Sequence, residues 1–305
     1  MRSNAVKVVV GDGRELAYAQ VGDPQGPPVF VLHGTPGSRL SSLLQIPSRV
    51  EEAGLNVITY DRPGYGLSTR HPGRVVVDCV GDVEAIADEL GLERFAVAGA
   101  SGGGAHALAV GARLPGRVDR VLCAVGGAPF KARDLDWFEG MDPTNVREFG
   151  WALDGEEVLA RELQRESEQI LNSLADDDPT AILSDVELAP ADRAVLQDEH
   201  LRSGLGLSMR EALRQGVSGW VDDDLAFITP WGFDVEELEV PVEIRYGTHD
   251  VLVPAAHGAW LAAHVPNASV TVDREAGHLV TPTEHLERLR ALVTTGSRVG
   301  KRTDL

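Results

Sequence analysis

Ser101, Asp250 and His278 lie far apart in the chain, yet each follows a strand-like apolar run. Ser101 sits in 99-GASGG-103, a GxSxG pattern between the run Phe95–Ala100 and a helix-like stretch. A serine hydroxyl is a poor nucleophile until a base takes its proton and the oxyanion formed is stabilised. The pattern carries meaning at a strand-to-helix turn, because a bend that sharp exposes the hydroxyl only when glycines remove the colliding side chains. A glycine-rich turn of this kind can also cradle phosphate. Here no lysine follows, the spacing Gly99 to Gly104 misses GxGxxG, and no acidic residue closes a ribose-binding strand. Acyl chemistry is the reading that remains.

The base should be a histidine, and nine are present. His278 lies in 273-DREAGHLVTP-282, a polar loop after the last strand-like run, from which an imidazole can reach across the carboxyl edge of a sheet. His106 falls five residues after Ser101 on the helix and is rotated away from it, and His33 reads as a scaffold residue at a strand end. His249, His257, His264 and His285 read as surface or helix residues. A carboxylate must orient the base, and Asp250 in 244-IRYGTHDVLVP-254 comes directly after a strand-like run. Asp61 also ends a strand but precedes a turn, 62-RPGYG-66, and reads as structural; the acids of the middle segment read as a solvated face. The order serine, aspartate, histidine is that of one known architecture. For the oxyanion, the Gly102 N–H opens a helix, where backbone donors are free, and the Thr35 N–H in 33-HGTPGSR-39 is the second candidate.

The elements that must position these residues follow from hydrophobic patterning. Val6–Val10 and Leu16–Gln20 flank a Gly-Asp-Gly turn as a hairpin, and Pro28–His33, Asn56–Asp61, Phe95–Ala100 and Val118–Val125 are continuous apolar runs suited to buried strands. Arg74–Leu90 repeats apolar residues at helical spacing and stops at Gly91. This alternation predicts an α/β fold with a mostly parallel sheet flanked by helices. From Ala128 to Phe233 the strand runs vanish and helical periodicity dominates, with Trp137, Trp151, Trp220 and Trp231 inside it. Strand character returns at Pro241–Tyr246 and Ser269–Asp273. Residues 1–127 and 234–305 therefore read as one core, and 128–233 as a helical insertion.

Lys+Arg 28 against Asp+Glu 47 gives a net charge of −19, which repels nucleic acid and anionic lipid. Cys79 and Cys123 lack metal or redox spacing and read as structural thiols. The first residues lack a signal-peptide core and no run approaches a membrane span, so the expected setting is the cytoplasm. No apolar stripe in the sequence sets an oligomeric state, and the polar stretch 296–305 reads as a frayed end.

With 33-HGTPG-37, 61-DRPGYGLS-68, 99-GASGG-103, 246-YGTHDVLVP-254 and 277-GHL-279 taken together, the chain resembles the α/β-hydrolase superfamily over nearly its whole length. The resemblance implies an eight-stranded, mostly parallel sheet with a helical cap inserted after the sixth strand. It implies Ser101 as nucleophile, His278 as general base and acid, Asp250 as its orienting partner, and Gly102 and Thr35 as oxyanion donors. It implies a small-molecule substrate and neither metal nor organic cofactor. Within the superfamily the chain is similar to the capped branch of ester hydrolases, lactonases, carbon–carbon bond hydrolases and proline iminopeptidases. Ser101 stands where epoxide hydrolases and haloalkane dehalogenases carry aspartate. Gly102 stands where the iminopeptidase elbow GGSWG carries tryptophan, which weighs toward esters or lactones over peptides.

Overall fold

A computed structural model describes residues 6–40, 42–175, 178–180 and 183–294. The stretch 296–305, read as frayed, lies outside the described residues. Among these residues eight strands form one sheet in the order β1-β2-β4-β3-β5-β6-β7-β8. β1 (Val6–Val9) and β2 (Glu15–Gly22) form the expected hairpin, and β2 pairs antiparallel with β4 (Asn56–Tyr60). β3 (Pro28–Leu32), β5 (Phe95–Ala100), β6 (Val118–Ala124), β7 (Val242–Gly247) and β8 (Ala268–Asp273) continue the sheet in parallel. The inner strands are buried on both faces, which is why they read as unbroken apolar runs rather than alternations.

Helices cover both faces. α1 (Pro47–Glu52) and α10 (Pro282–Thr294) bury Val50, Leu286, Leu289 and Leu292 with β-strand residues Val29, Val57 and Ala98. On the other face α2 (Cys79–Glu89) and α3 (Gly102–Arg113) bury Val83, Ile86 and Leu108 with Phe30, Ile58 and Val97. Cys79 and Cys123 are free and buried, as structural thiols should be, and burial pushes the Cys123 thiol up to about 12. α9 (Ala255–His264) crosses between β7 and β8.

Between β6 and β7 the chain contains only helices among the described residues: α4 (Pro143–Asp154), α5 (Glu156–Ala175), α6 (Pro190–Val195), α7 (Glu199–Ala212) and α8 (Ser218–Ile228), with short 3-10 turns. They have their own core, in which Leu159, Leu163, Ile170, Met209 and Trp220 close around Tyr65 from the loop after β4. No helix among the described residues is long and apolar enough to cross a membrane.

The acids of this segment fall into two groups. Asp134, Asp154, Glu156, Glu157 and Glu168 are exposed, as a solvated face should be, but Asp142, Asp192, Asp222, Asp223 and Asp224 are buried, which corrects the reading for them. α8 explains why. Apart from its acids it is apolar almost all round, and such a helix lies inside the protein. Three consecutive residues at 100° steps then cannot share one wet edge. Each aspartate has its own partner: Asp222 pairs with Arg70, Asp223 with Arg62 and Arg74, and Asp224 with Glu148.

Candidate active site

The sheet order reverses at β3, which lies between β4 and β5, so the loops after β3 and β5 emerge side by side with a crevice between them. Leu32 pairs with Gly99 in register, and the HGTPG loop and the GASGG turn start from adjacent positions. Ser101 turns the chain with φ 55° and ψ −130°. For a residue with a Cβ that backbone costs on the order of 1–3 kcal/mol, held by the surrounding structure. The glycines permit it through close approach as the sequence suggests. A Cβ on Gly99 would lie 2.0 Å from Gly103 O, and one on Gly103 would lie 2.2 Å from Leu32 O. Ser101 N–H donates to Ala124 O at 3.0 Å, fixing the turn to β6, and its hydroxyl faces a cleft.

The loop after β3 is held from behind. Arg62, fully buried, donates from Nη2 to Gly34 O at 2.9 Å and to Thr35 Oγ1 at 3.0 Å, and from Nη1 to His33 O. Asp223 reaches in from α8 and accepts from Arg62 Nη2 at 2.5 Å, Arg74 Nη2 at 2.6 Å, Thr35 Oγ1 at 2.7 Å and Tyr65 O–H at 2.9 Å. Burial works against this carboxylate, but the two guanidiniums outweigh it and hold its pKa well below the ordinary 3.8. The network sets Thr35 against the start of α3: a Cβ on Gly102 would lie 2.5 Å from Thr35 Oγ1. Thr35, Ser101 and Gly102 line one cleft. His33 is the scaffold residue expected, accepting Arg62 N–H on Nε2 at 3.2 Å. Asp61 is structural, accepting the N–H groups of Arg39 at 2.7 Å and Leu67 at 3.0 Å.

Asp250 and His278 come together because β7 and β8 pair through Gly247 and Asp273 and the ladder runs on into their loops. Thr248 N–H donates to Asp273 O at 2.9 Å, and His249 N–H to Ala276 O at 3.1 Å. His278 Nδ1–H donates to Asp250 Oδ2 across 2.8 Å, which directs Nε2 away from the carboxylate. Asp250 Oδ1 accepts the N–H groups of Leu252 and Val253, each at 2.9 Å, so the acid cannot rotate freely. Burial disfavours the imidazolium, but Asp250 and then Asp192 outweigh it, and the His278 pKa is raised above the ordinary 6.5. Ser101 Oγ makes no hydrogen bond among the described residues, to His278 or any other group. Such contacts are often long in the free enzyme and tighten on substrate.

The cleft in front of Ser101, together with its solvent-open mouth, encloses about 660 Å³. Trp137, Met141, Phe149, Phe227 and Trp231 make its wall largely apolar. Of the four tryptophans between β6 and β7, Trp137 and Trp231 line it, while Trp220 packs among the helices there. His257, read as a surface or helix residue, lies on α9, is buried and lines the cleft. Its Nδ1 accepts Ala128 N–H at 3.2 Å, so Nε2 carries the proton and donates to Trp137 O at 2.9 Å. Both nitrogens are committed to backbone, which makes it a wall rather than a base.

The sequence reading passed over Glu148 and Asp224, which also line the cleft. Glu148 accepts Trp220 Nε1–H at 2.7 Å and shares a hydrogen bond with Asp224. Burial raises both carboxyls, Glu148 to about 7 and Asp224 well above its ordinary value, where the neighbouring Glu148 adds to the effect. Two carboxyls buried this close hold a proton between them more readily than either would alone. No N–H or hydroxyl group reaches Asp224 Oδ2 among the described residues.

The α/β-hydrolase fold model matches residues 27–284, most of the chain. The protein belongs to the α/β-hydrolase fold family. This α/β hydrolase is 24% identical over 318 residues to a proline iminopeptidase of Xanthomonas citri, covering 92% of each chain. Among solved structures it is similar to the enol-lactonase from Burkholderia xenovorans LB400, with TM-score 0.65 and 18% identity over 96% of this chain and 99% of that one. An esterase from Exiguobacterium antarcticum superposes at TM-score 0.66 with 19% identity, again over 96% and 99%. At such identities these two likenesses concern the fold.

Proposed function

We propose that this hydrolase cleaves carboxylic esters or lactones of small, largely apolar molecules through an acyl-enzyme on Ser101. Residues 1–127 and 234–305 form the catalytic core and 128–233 a cap that roofs the cleft. Ser101 Oγ attacks the carbonyl carbon while His278 Nε2 takes its proton. Gly102 N–H and Thr35 N–H hold the oxyanion, and His278 returns the proton to the leaving alcohol. Water, deprotonated by the same imidazole, then releases the acid. The observation that carries the reading is Ser101, held at φ 55° in the wall of an apolar cleft beside two candidate oxyanion donors. A panel of p-nitrophenyl esters, lactones and aminoacyl amides tests it: turnover of esters or lactones supports it, and inertness toward all of them overturns it.

The pH dependence follows from the Asp250–His278 bond. The neutral imidazole is the base, so kcat/KM falls as pH drops through the His278 pKa, which Asp250 holds above 6.5. Asp250→Asn removes that charge and shifts the acid limb to lower pH, while kcat falls by on the order of 10⁴-fold because the tautomer is no longer held. A limb that stays in place in the variant would detach Asp250 from the mechanism.

A second reading, an aminopeptidase or a hydrolase of amine-bearing acyl groups, has its own support. Glu148 and Asp224 gain a shared negative charge at the cleft as pH rises through about 7, and no guanidinium or ammonium is bonded to them among the described residues. A protonated amine on the substrate would supply the missing counter-charge, and the iminopeptidase relatives point the same way. Matched substrates with and without an α-amine separate the readings. If the pair binds an amine, Glu148→Gln and Asp224→Asn raise KM about 10-fold or more for the amine substrate alone. The preference should also strengthen as pH rises through about 7, where Glu148 loses its proton. Equal losses on both substrates would remove this reading.

A further inference from the structure

The loop bearing His278 is fastened to the helical insertion as well as to the sheet. Asp192 in α6 is fully buried and accepts His278 N–H on Oδ2 at 2.9 Å and Leu279 N–H on Oδ1 at 2.9 Å. Residue 277 must be glycine for this approach, since a Cβ there would lie 2.2 Å from Asp192 Oδ2. Apolar packing reinforces the contact: Leu188, Leu196 and Leu201 of the insertion cluster with Leu279 and with Leu252 of the acid loop. Asn145 Nδ2 donates to Leu252 O at 3.1 Å, and Asp142 N–H to Val251 O at 2.7 Å. The nucleophile therefore stands on the core, while the loops carrying acid and base are both tied to the segment that roofs the cleft.

Burying a carboxylate is costly unless it is well paired. Among the described residues the Asp192 side chain has only those two backbone amides as partners and no cation. A single neutral acceptor could anchor one amide. Only a group with two acceptor oxygens grips both neighbours at once, and a carboxylate does so with a charge that faces the imidazole. The charged groups facing His278 are Asp250 from the loop after β7 and Asp192 from α6.

We propose that Asp192 is a positioning residue for His278, a clamp by which the insertion sets the base against Asp250 and Ser101. The proposal rests on the reading of Ser101, Asp250 and His278 as a triad. Holding both amides fixes the backbone from which the imidazole projects, and the Asp192 charge adds to that of Asp250 in favouring the imidazolium. The insertion then does more than choose the substrate, because the base is in register only while α6 is seated.

Asp192→Asn keeps the volume, leaves one amide facing an NH₂ group, and removes the charge. Two measurements read it: titration of the His278 imidazole by NMR, its signals identified by their loss in His278→Gln, and kinetics on p-nitrophenyl acetate, which is too small to need the cap. The expected result is a downward shift of the His278 titration and of the acid limb of kcat/KM. kcat should fall on the order of 10²-fold with little change in KM, the cost of a base displaced by about 1 Å. Unchanged titration and kcat overturn the proposal, even if the unfolding midpoint drops. If Asp192→Asn does not fold, Gly277→Ala pushes the carboxylate away with Asp192 intact, and the same two outcomes decide. A wild type that turns over no ester counts against the triad reading alone, since the NMR titration still reports the clamp.

Discussion

On the proposed mechanism, Ser101→Ala should lose covalent labelling by a fluorophosphonate and lose ester turnover by at least about 10⁴-fold. The phosphonate adds to a serine oxygen with departure of fluoride, so the probe reads an activated hydroxyl, whichever ester is the natural substrate. Asp250 and His278 stay paired in the variant, but without the oxygen the imidazole has no nucleophile to deprotonate. The fold should be little affected. Serine and alanine both carry a Cβ, so both bear the cost of φ 55° at this position. Ser101→Gly should instead raise stability by about 1 kcal/mol, since glycine adopts that backbone freely. Unfolding midpoints of the three proteins check the strain, and labelling that persists in the alanine variant would move the nucleophile elsewhere.

Asp223→Ala should destabilise the protein by about 3–5 kcal/mol, the usual cost of breaking a buried ion pair from one side. The variant leaves Arg62 and Arg74 as buried cations facing a void, and the Tyr65 and Thr35 hydroxyl protons lose their acceptor. The loss reaches the active site, because Arg62 holds the carbonyls of His33 and Gly34 and the Thr35 hydroxyl. Activity should fall even where the variant stays folded. The sign with pH follows from a depressed pKa: the stabilisation is full above the unfolded value near 3.8 and is lost as pH falls below it toward the folded pKa. Wild type and variant therefore converge in stability only in acid. Denaturant unfolding at neutral and acid pH measures both effects, and a variant with the wild-type midpoint at neutral pH would contradict them.

The inner strands were legible because burial on both faces forces unbroken apolar runs, and across the sheet the expected and observed limits differ by a residue or two. The start of α2 was less legible. Helical spacing runs from Arg74, but the helix begins at Cys79 after a 3-10 turn at Val76–Asp78. Two contacts account for it. Asp78 accepts the Val75 N–H at 2.8 Å, and Arg74 is drawn toward Asp223, a residue nearly 150 positions away. Periodicity reports which face of a segment is apolar, and it is blind to a distant partner that holds the first turn open.

The candidate site divides along the same line. Ser101, Asp250, His278, Gly102 and Thr35 could be named from sequence because each sits in a local pattern: a glycine-flanked turn, a strand end, a loop after the last strand. Glu148, Asp192, Asp223 and Asp224 carry no such mark, and an acid on a helix looks solvated until its burial is known. Their roles depend on which core loop each helix of the insertion lies against. Local backbone chemistry is written in neighbouring residues, so the sequence by itself determined the sheet, the turn at Ser101 and the order of the candidate catalytic groups. The burial of the 222–224 acids, the carboxyl pair in the cleft and the grip of Asp192 on the histidine loop are contacts across more than seventy positions of chain. Only the packed tertiary structure decides those, because the desolvation and pairing that define them do not exist until the helices between β6 and β7 pack against the loops of the sheet.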